Sequence, residues 1–330
     1  MVSFGYTVMG EQAGPKQLVS DARRAEAAGF DFIAASDHFF PWLAEQGHSP
    51  YTWAVLGAIA EATERIGLMT YVTCPTMRYH PTVVAQKAAT IQLLSDGRFT
   101  LGLGAGENLN EHVIGAGWPP VDVRHGMLAE AIRIIRPLLA GETVTFRGDH
   151  LDAEAAKLWD VPPDPPAIGV AVSGRRSCRL AGDLADAMIA VEPRPELGDW
   201  FDVAGGAGKP RIGQVGLCYD PDPAAARKRA LEQFRWFTGG WKTMAELPGP
   251  AHFAAASQAV REDDVARKIP CGPDVAAHVA AARTFVDAGF THVAVVQIGG
   301  GHQDPFFDWA ERELLPELRR LGPDSGRRPS

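Results

Sequence analysis

The chain has few cysteines and no excess of positive charge, and both shortages exclude classes of protein. Only 4 of its 330 residues are cysteine, far apart and without a C-x-x-C pair. This pattern predicts reduced thiols, with no disulfide framework and no metal site. Asp and Glu outnumber Lys and Arg by 40 to 32, for a net charge of −8. Nucleic acids and anionic membranes attract basic proteins, so we expect neither as the main partner.

Long hydrophobic runs are also missing. The first residues, MVSFGYTVMG, have no basic segment followed by an apolar one, so they do not predict a signal peptide. No window reaches the roughly 18 unbroken apolar residues that a membrane span needs. We therefore expect a cytoplasmic protein. Only the tail, residues 323–330, is expected to be disordered.

What the sequence does contain is a regular alternation of short apolar runs and helical stretches. The apolar runs predict eight strands: Val2–Val8, Phe30–Ala35, Ile66–Thr73, Phe99–Leu103, Ala167–Val172, Ala187–Val191, Ile212–Leu217 and His292–Gln297. The helical stretches are Lys16–Ala28, Tyr51–Thr63, Thr82–Leu94, Arg124–Leu139, Arg175–Ala185, Pro223–Phe237, Asp274–Ala288 and Pro305–Leu321. This alternation predicts parallel strands joined by helices. We expect a single (β/α)₈ TIM barrel over residues 1–322, and a doubly wound open sheet is the alternative.

Two stretches interrupt the alternation, at about 141–166 and 239–273. The first combines a hairpin-like piece with a proline-rich exit, and the second contains Pro248-Gly249-Pro250. Both are expected to be inserted segments at the C-terminal ends of the strands. We expect them to wall the substrate pocket.

In a TIM barrel the functional residues lie in loops at the carboxyl ends of the strands. Asp37-His38 follows the second predicted strand. Histidine titrates near neutral pH, so His38 is a candidate for proton transfer, and the adjacent carboxylate can hold the ring or its loop. The alternative is a histidine that caps a helix or ties two loops together. The strand-end position and the nearby Trp42 favour a functional role.

A second candidate, Gly104-Ala105-Gly106-Glu107, follows the fourth predicted strand. Small residues let a backbone approach a planar ligand closely, and a buried glutamate can hold a proton near neutral pH. The alternative is a tight turn with a solvated glutamate. The run lacks the last glycine of G-x-G-x-x-G, which argues against a nicotinamide-binding Rossmann enzyme.

The third candidate, Ser173-Gly174-Arg175, stands where a predicted helix begins. Backbone N–H groups at a helix start bind anions, and an arginine is available for a phosphate. The alternative is an ordinary serine cap.

These residues resemble those of the deazaflavin-dependent branch of the luciferase-like superfamily, in particular its glucose-6-phosphate dehydrogenase-like group from actinobacteria. The matching segments follow one another over nearly the whole chain: 36–39 with 41–42, 46–50, 78–81, 104–111 and 314–316. The resemblance implies a barrel, usually a homodimer, with coenzyme F420 lying across the strand ends. It also implies a non-proline cis peptide between Tyr71 and Val72.

The resemblance further implies roles for individual residues. The residues that would contact the cofactor are Asp37, Tyr71, Val72, Cys74, Ala105, Gly106 and Asn110, with Ser173, Gly174 and Arg175 at its phosphate. The catalytic group would comprise His38, Trp42 and Glu107, with Glu11 as the rival for proton transfer. In the implied mechanism, His38 takes the proton of a substrate hydroxyl while hydride passes to C5 of the deazaflavin.

One loop departs from the sugar-phosphate dehydrogenases, which carry a threonine and a lysine for the phosphate after the sixth strand. Here Arg194 is the candidate substrate ligand, and it stands between Glu192 and Glu196. Lys242 and Lys268 are the candidates for the missing lysine. We therefore expect an F420-dependent oxidoreductase for a small alcohol, sugar or carbonyl compound rather than glucose 6-phosphate. The alternatives are an FMN-dependent monooxygenase on the same barrel and a non-enzymatic cofactor carrier.

Overall fold

The computed structural model describes residues 2–322, so the tail at 323–330 lies outside the described residues. The strands are β1 (Ser3–Val8), β2 (Phe32–Ala35), β3 (Gly67–Thr70), β4 (Phe99–Leu103), β5 (Val144–Arg147), β6 (Asp152–Ala156), β7 (Ala167–Ala171), β8 (Ala187–Ala190), β9 (Arg211–Leu217) and β10 (His292–Gln297). All but β5 and β6 form one closed parallel barrel in the order β1-β10-β9-β8-β7-β4-β3-β2. The barrel confirms the predicted fold, and its closure excludes the open sheet.

The helices surround this barrel. They are α1 (Pro15–Ala28), α2 (Thr52–Ala62), α3 (Pro81–Leu94), α4 (Asn108–Glu111), α5 (Val121–Leu139), α6 (Arg175–Leu184), α7 (Pro195–Phe201), α8 (Pro223–Phe234), α9 (Trp241–Met244), α10 (Pro250–Ala256), α11 (Glu262–Ala266), α12 (Val275–Asp287), α13 (Gln303–Trp309) and α14 (Leu315–Leu318). π-Helical turns extend α7 over Asp202–Gly206 and join α13 to α14 over Ala310–Leu314. Among the residues that the structure describes, every helix is too short or too polar to cross a lipid bilayer.

Each predicted strand overlaps one barrel strand, but the helix after β8 was not predicted. This helix, α7, is short, and its Gly198 lies against the Arg211 side chain, where a Cβ would collide with the guanidinium. Glycine disfavours helix formation, so a sequence pattern that contains Gly198 does not predict a helix at α7. In the stretch 141–166, β5 and β6 form an antiparallel pair separate from the barrel. In 239–273 the chain forms the short helices α9, α10 and α11.

The hydrophobic core has two parts that matter for the site. Side chains at alternate strand positions fill the barrel interior: Phe32, Ala34, Met69, Ala187, Ile189, Ile212 and Ala294. A separate cluster at the carboxyl end of the barrel joins the loops after β1 and β2 to the segment after β9. Its largest members include Trp42, Trp236 and Phe253. This upper cluster borders the candidate site.

Replacing Asp21 with asparagine should stabilise the protein at alkaline pH. Asp21 lies on α1, is 2% exposed and accepts a hydrogen bond from Gln17 Nε2 at 2.6 Å. Burial raises its pKa from 3.8 to about 6. The unfolded chain therefore ionises first, and the folded state loses stability as the pH rises between these two values.

We expect Asp21→Asn to raise the melting temperature at pH 8 and to change it little at pH 4, as measured by scanning calorimetry. The exposed Asp149→Asn is the control and should change neither value. An equal shift at both pH values would contradict the explanation.

Candidate active site

Three titratable side chains from separate loops meet at the carboxyl end of the barrel. Glu11 follows β1, His38 follows β2 and Glu107 follows β4. His38 Nδ1 lies 3.1 Å from Glu11 Oε1, and His38 Nε2 lies 3.6 Å from Glu107 Oε2. The exposed fraction of these side chains is 1% for Glu11, 10% for His38 and 16% for Glu107. The structure thus places the imidazole between two carboxyl groups.

The surroundings of the His38 ring fix which nitrogen carries its proton. Nδ1 lies 3.1 Å from the Phe40 carbonyl oxygen and equally close to Glu11 Oε1. A carbonyl and a carboxylate only accept hydrogen bonds, so we assign the ring hydrogen to Nδ1. Nε2 then keeps its lone pair and faces Glu107. A neutral histidine held in this way is suited to accept a proton through Nε2.

Glu11 lies behind the histidine rather than beside the free nitrogen. Its Oε2 accepts a hydrogen bond from Ser36 Oγ at 2.6 Å, and Ser36 Oγ accepts one from Gly10 N at 3.1 Å. Glu11 Oε1 lies 3.1 Å from His38 Nδ1 but accepts no hydrogen bond from the residues that the structure describes, so it acts on the ring through its charge. Ser36 had no predicted role, although it directly precedes Asp37-His38. This arrangement lets Glu11 orient the imidazole and stabilise its positive charge.

Glu107 can hold a proton near neutral pH. Burial raises its pKa from 4.5 to about 7, Glu11 adds to the rise, and His38 opposes it. Asn110 Nδ2 donates to Glu107 Oε2 at 3.2 Å, while Asn110 Oδ1 accepts from Phe39 N at 2.9 Å. Asn110 therefore couples the loop after β4 to the loop that carries His38.

Asp37 was predicted to contact the cofactor, but its carboxylate accepts hydrogen bonds from other residues of the protein. Its Oδ2 accepts from Thr73 Oγ1 at 2.7 Å and from Trp53 Nε1 at 3.2 Å. Arg78 donates to the Asp37 carbonyl oxygen at 2.8 Å and pairs with Glu111 at 3.0 Å. These bonds fasten the loop after β2 to the loop after β3. The sequence signal for Arg78 lay in the matching segment 78–81, but its partners were not predictable.

Aromatic side chains form one wall of the site. The rings of His38 and Trp42 lie 4.8 Å apart, and Trp42 stacks on Trp236 at 4.1 Å with an angle of 7°. Phe253 meets Trp42 edge-on at 5.1 Å. Trp236 and Phe253 come from the segment after β9. Phe253 lies in the insertion 239–273, which was predicted to wall the substrate pocket, whereas Trp236 precedes this insertion and was not predicted to reach the site.

Backbone groups of Tyr71–Val72 and Ala105–Gly106 form the bottom of the site between the strand ends, which we call the floor. The Tyr71–Val72 peptide is cis, and Gly106 has a φ of +85°. A Cβ at Gly106 would lie 2.8 Å from Cys74 Sγ. Burial raises the pKa of the Cys74 thiol, so it stays protonated. Ala105 and Gly106 are both partly buried, and a run of such small residues lets the backbone approach a flat ring closely.

The predicted anion site at the start of α6 is partly occupied by the protein's own hydrogen bonds. The N–H groups of Ser173 and Gly174 donate to Ser177 Oγ at 3.0 and 3.2 Å. Ser173 and Arg175 are exposed, and the space beside Gly174 is open. The cofactor-phosphate role of these residues stays a prediction, and Ser177 is a supporting residue that sequence reasoning missed.

Arg194 is neutralised by its neighbours. Its guanidinium donates to Glu196 Oε1 at 2.9 Å and lies 3.5 Å from Glu192 Oε2. Lys268, a candidate for the missing lysine, donates instead to the Thr238 carbonyl oxygen at 3.1 Å. Two of the cations considered for a substrate phosphate therefore have other partners in the fold.

Replacing Gly106 with alanine should destabilise the protein and abolish cofactor binding. The substitution forces a side chain into the left-handed region and against Cys74 Sγ. The backbone strain alone costs about 1–2 kcal/mol, and displacement of the thiol adds to it. Unfolding in urea and a cofactor titration measure the two effects.

Gly115→Ala is a matched control for this substitution. Gly115 has a φ of +75°, but a Cβ there meets nothing within 4 Å. Its alanine variant should show the cost in stability from the backbone strain and keep cofactor affinity. Equal losses of affinity in both variants would contradict a specific role for the floor at Gly106.

Comparison with known proteins agrees with this geometry. The family described as luciferase-like monooxygenase matches residues 2–292. An F420-dependent glucose-6-phosphate dehydrogenase of Amycolatopsis mediterranei (strain U-32) is 34% identical over 343 aligned positions, covering 98% of this chain and 100% of the relative. The protein of the same name from Beutenbergia cavernae is 36% identical over 339 positions, covering 97% and 98%.

Two solved structures resemble this chain in fold. An F420-dependent secondary alcohol dehydrogenase, in complex with an F420–acetone adduct, superimposes with a TM-score of 0.88 at 28% identity, covering 96% of this chain and 99% of the other. The coenzyme F420-dependent tetrahydromethanopterin reductase of Methanopyrus kandleri has a TM-score of 0.76 at 21% identity, covering 96% and 99%. The second likeness concerns the fold alone.

Proposed function

This chain belongs to the luciferase-like monooxygenase family, among its F420-dependent oxidoreductases, and we propose that it transfers hydride between the deazaflavin and a small, uncharged alcohol or the corresponding carbonyl compound. The observation that carries the proposal is the position of His38, with Nδ1 bonded to the Phe40 carbonyl oxygen beside the Glu11 carboxyl group and Nε2 directed toward Glu107. A carrier protein would not need such an arrangement for proton transfer.

The residues at the strand ends fit the deazaflavin. A Cβ at Gly104 would lie 2.7 Å from Val72 Cγ2, so the run Gly104-Ala105-Gly106 lies beside the cis peptide at Tyr71–Val72. These backbone groups would support the flat ring, and Ser173, Gly174 and Arg175 would hold its phosphate at the start of α6. When bound, the deazaflavin supplies a carbon, C5, that accepts or returns hydride.

The chain's own residues would manage the protons. His38 Nε2 accepts the proton of the substrate hydroxyl as the C–H bond beside it breaks. The imidazolium that results is stabilised by the Glu11 carboxylate at 3.1 Å. Glu107 holds a second proton below pH 7 and would donate it to the deazaflavin, which takes up one proton with each hydride. Trp42 excludes water from one side of His38, because Trp236 and Phe253 fix its ring.

An uncharged substrate follows from the charges around the site. Arg78 is paired with Glu111, Arg124 with Glu246, and Arg194 with Glu192 and Glu196. A substrate phosphate beside any of these arginines would be repelled by the carboxylate that pairs with it. The aromatic wall instead favours the apolar body of a secondary alcohol or ketone. The solved relative that acts on secondary alcohols supports this choice.

Two measurements on the purified protein test the proposal. Fluorescence titration should show micromolar or tighter binding of oxidised coenzyme F420 and weak binding of FMN. Loss of deazaflavin absorbance should then follow addition of a secondary alcohol such as 2-propanol and be much slower with glucose 6-phosphate. Preferred FMN binding would move the function to a monooxygenase, and rapid turnover of glucose 6-phosphate would overturn the substrate assignment. We also expect a homodimer, which light scattering would check.

A further inference from the structure

Two cysteines far apart in the sequence lie side by side in the fold. Cys218 directly follows β9 and pairs with Cys271 in an isolated parallel bridge. Cys218 N donates to the Pro270 carbonyl oxygen at 2.9 Å, and Gly272 N donates to the Cys218 carbonyl oxygen at 2.9 Å. Neighbouring strands lie about 4.8 Å apart, and disulfides join Cα atoms about 4.4–6.8 Å apart. The backbone therefore holds these cysteines at a spacing that a disulfide can bridge.

The two thiols differ in a way that suits successive oxidation steps. Cys218 is fully buried, whereas Cys271 is partly exposed. The neighbouring Cys218 thiol lowers the pKa of Cys271, partial burial opposes this, and the charges of Arg227 and Arg229 add to the lowering. Cys271 is therefore both the more accessible and the more readily ionised member of the pair, as the attacking thiol must be.

We propose that Cys218 and Cys271 form a reversible disulfide when hydrogen peroxide oxidises the protein. The Cys271 thiolate attacks one peroxide oxygen, the O–O bond breaks, and Cys271 becomes a sulfenic acid as water leaves. The Cys218 sulfur then attacks the Cys271 sulfur, the S–O bond breaks, and a second water leaves. One peroxide is reduced to two waters, and two thiols become one disulfide. A dithiol reverses the change by exchange.

The disulfide would fasten a segment that forms part of the site. The chain between the two cysteines contains α8, α9, α10 and α11. It supplies Trp236 and Phe253 to the wall on Trp42, and Glu246 to Arg124. Joining the ends of this long segment restricts it in the unfolded chain, so the oxidised protein should melt several degrees higher. Proteolysis within 239–273 should also slow.

The experiment oxidises the reduced full-length protein with hydrogen peroxide and counts thiols after denaturation. The wild type should fall from 4 titratable thiols to two, and non-reducing peptide mapping should join the Cys218 and Cys271 peptides. Cys271→Ser should keep its three remaining thiols, whereas Cys218→Ser should keep two and carry a sulfenic acid at Cys271, because it lacks the thiol that completes the disulfide. The control Cys178→Ser, which changes a buried thiol on α6, should still lose two.

The outcomes separate the proposal from simple oxidation. Three outcomes in the wild-type protein would each overturn the proposal. They are retention of all thiols, oxygen addition at Cys271 without a cross-link, and a disulfide to another cysteine. The mapping on wild-type protein decides the matter even if Cys218→Ser does not fold. None of these measurements depends on the cofactor or on turnover, so the result stands apart from the proposed function.

Discussion

Replacing His38 with asparagine is expected to lower turnover by about 10²–10⁴-fold, the usual contribution of a positioned general base. The asparagine amide can still donate toward Phe40 O and Glu11, but it offers no nitrogen that accepts a proton on the side of Glu107. Affinity for coenzyme F420 should change little. Steady-state rates with a secondary alcohol and a separate fluorescence titration measure the two quantities.

His112→Asn is the matched control for this prediction. His112 is also a partly buried histidine that bonds through Nδ1 to a backbone carbonyl oxygen, that of Asn108, and it stacks on Phe40. Its loss should change the rate by a few-fold at most. If His38→Asn kept near-normal turnover while Glu11→Gln did not, Glu11 would be the base and our assignment would be wrong.

The second large effect concerns Glu107. A group that releases a proton during alcohol oxidation must hold it beforehand, and Glu107 does so below its raised pKa of about 7. The oxidation rate should therefore fall as the pH rises through 7, and the rate of the reverse reduction, in which Glu107 accepts the proton, should rise over the same pH range. We expect Glu107→Gln to remove this pH dependence and to lower the rate by about 10²-fold or more.

Stability gives the control for the Glu107 prediction. Because the folded-state pKa exceeds the unfolded value of 4.5, ionisation of Glu107 destabilises the fold as the pH rises from that value through about 7. The neutral glutamine avoids this loss, so Glu107→Gln should melt at an equal or higher temperature than the wild type at pH 8. A slow variant that also melted at a lower temperature would point to a structural rather than a chemical effect.

The barrel and the loops that carry the candidate site could be predicted from the sequence. Each strand and each long helix repeats a local pattern of buried positions, and such patterns are visible in one chain. The glycines near Glu107 and the pair Asp37-His38 stood at predicted strand ends, where a TIM barrel places its function. The missed elements were short ones, such as α4 and α7, whose residues have little periodicity of their own.

Only the tertiary structure decided which of these residues act on one another. The sequence placed Glu11, His38 and Glu107 at three strand ends, but barrel closure set Glu11 behind the imidazole and Glu107 before it. The same holds for Trp236 on Trp42 and for Cys218 beside Cys271. A local pattern reports whether a residue is buried, whereas its partner depends on how distant segments pack. The sequence therefore predicted the strands and long helices, but it could not predict which side chains of the site contact one another.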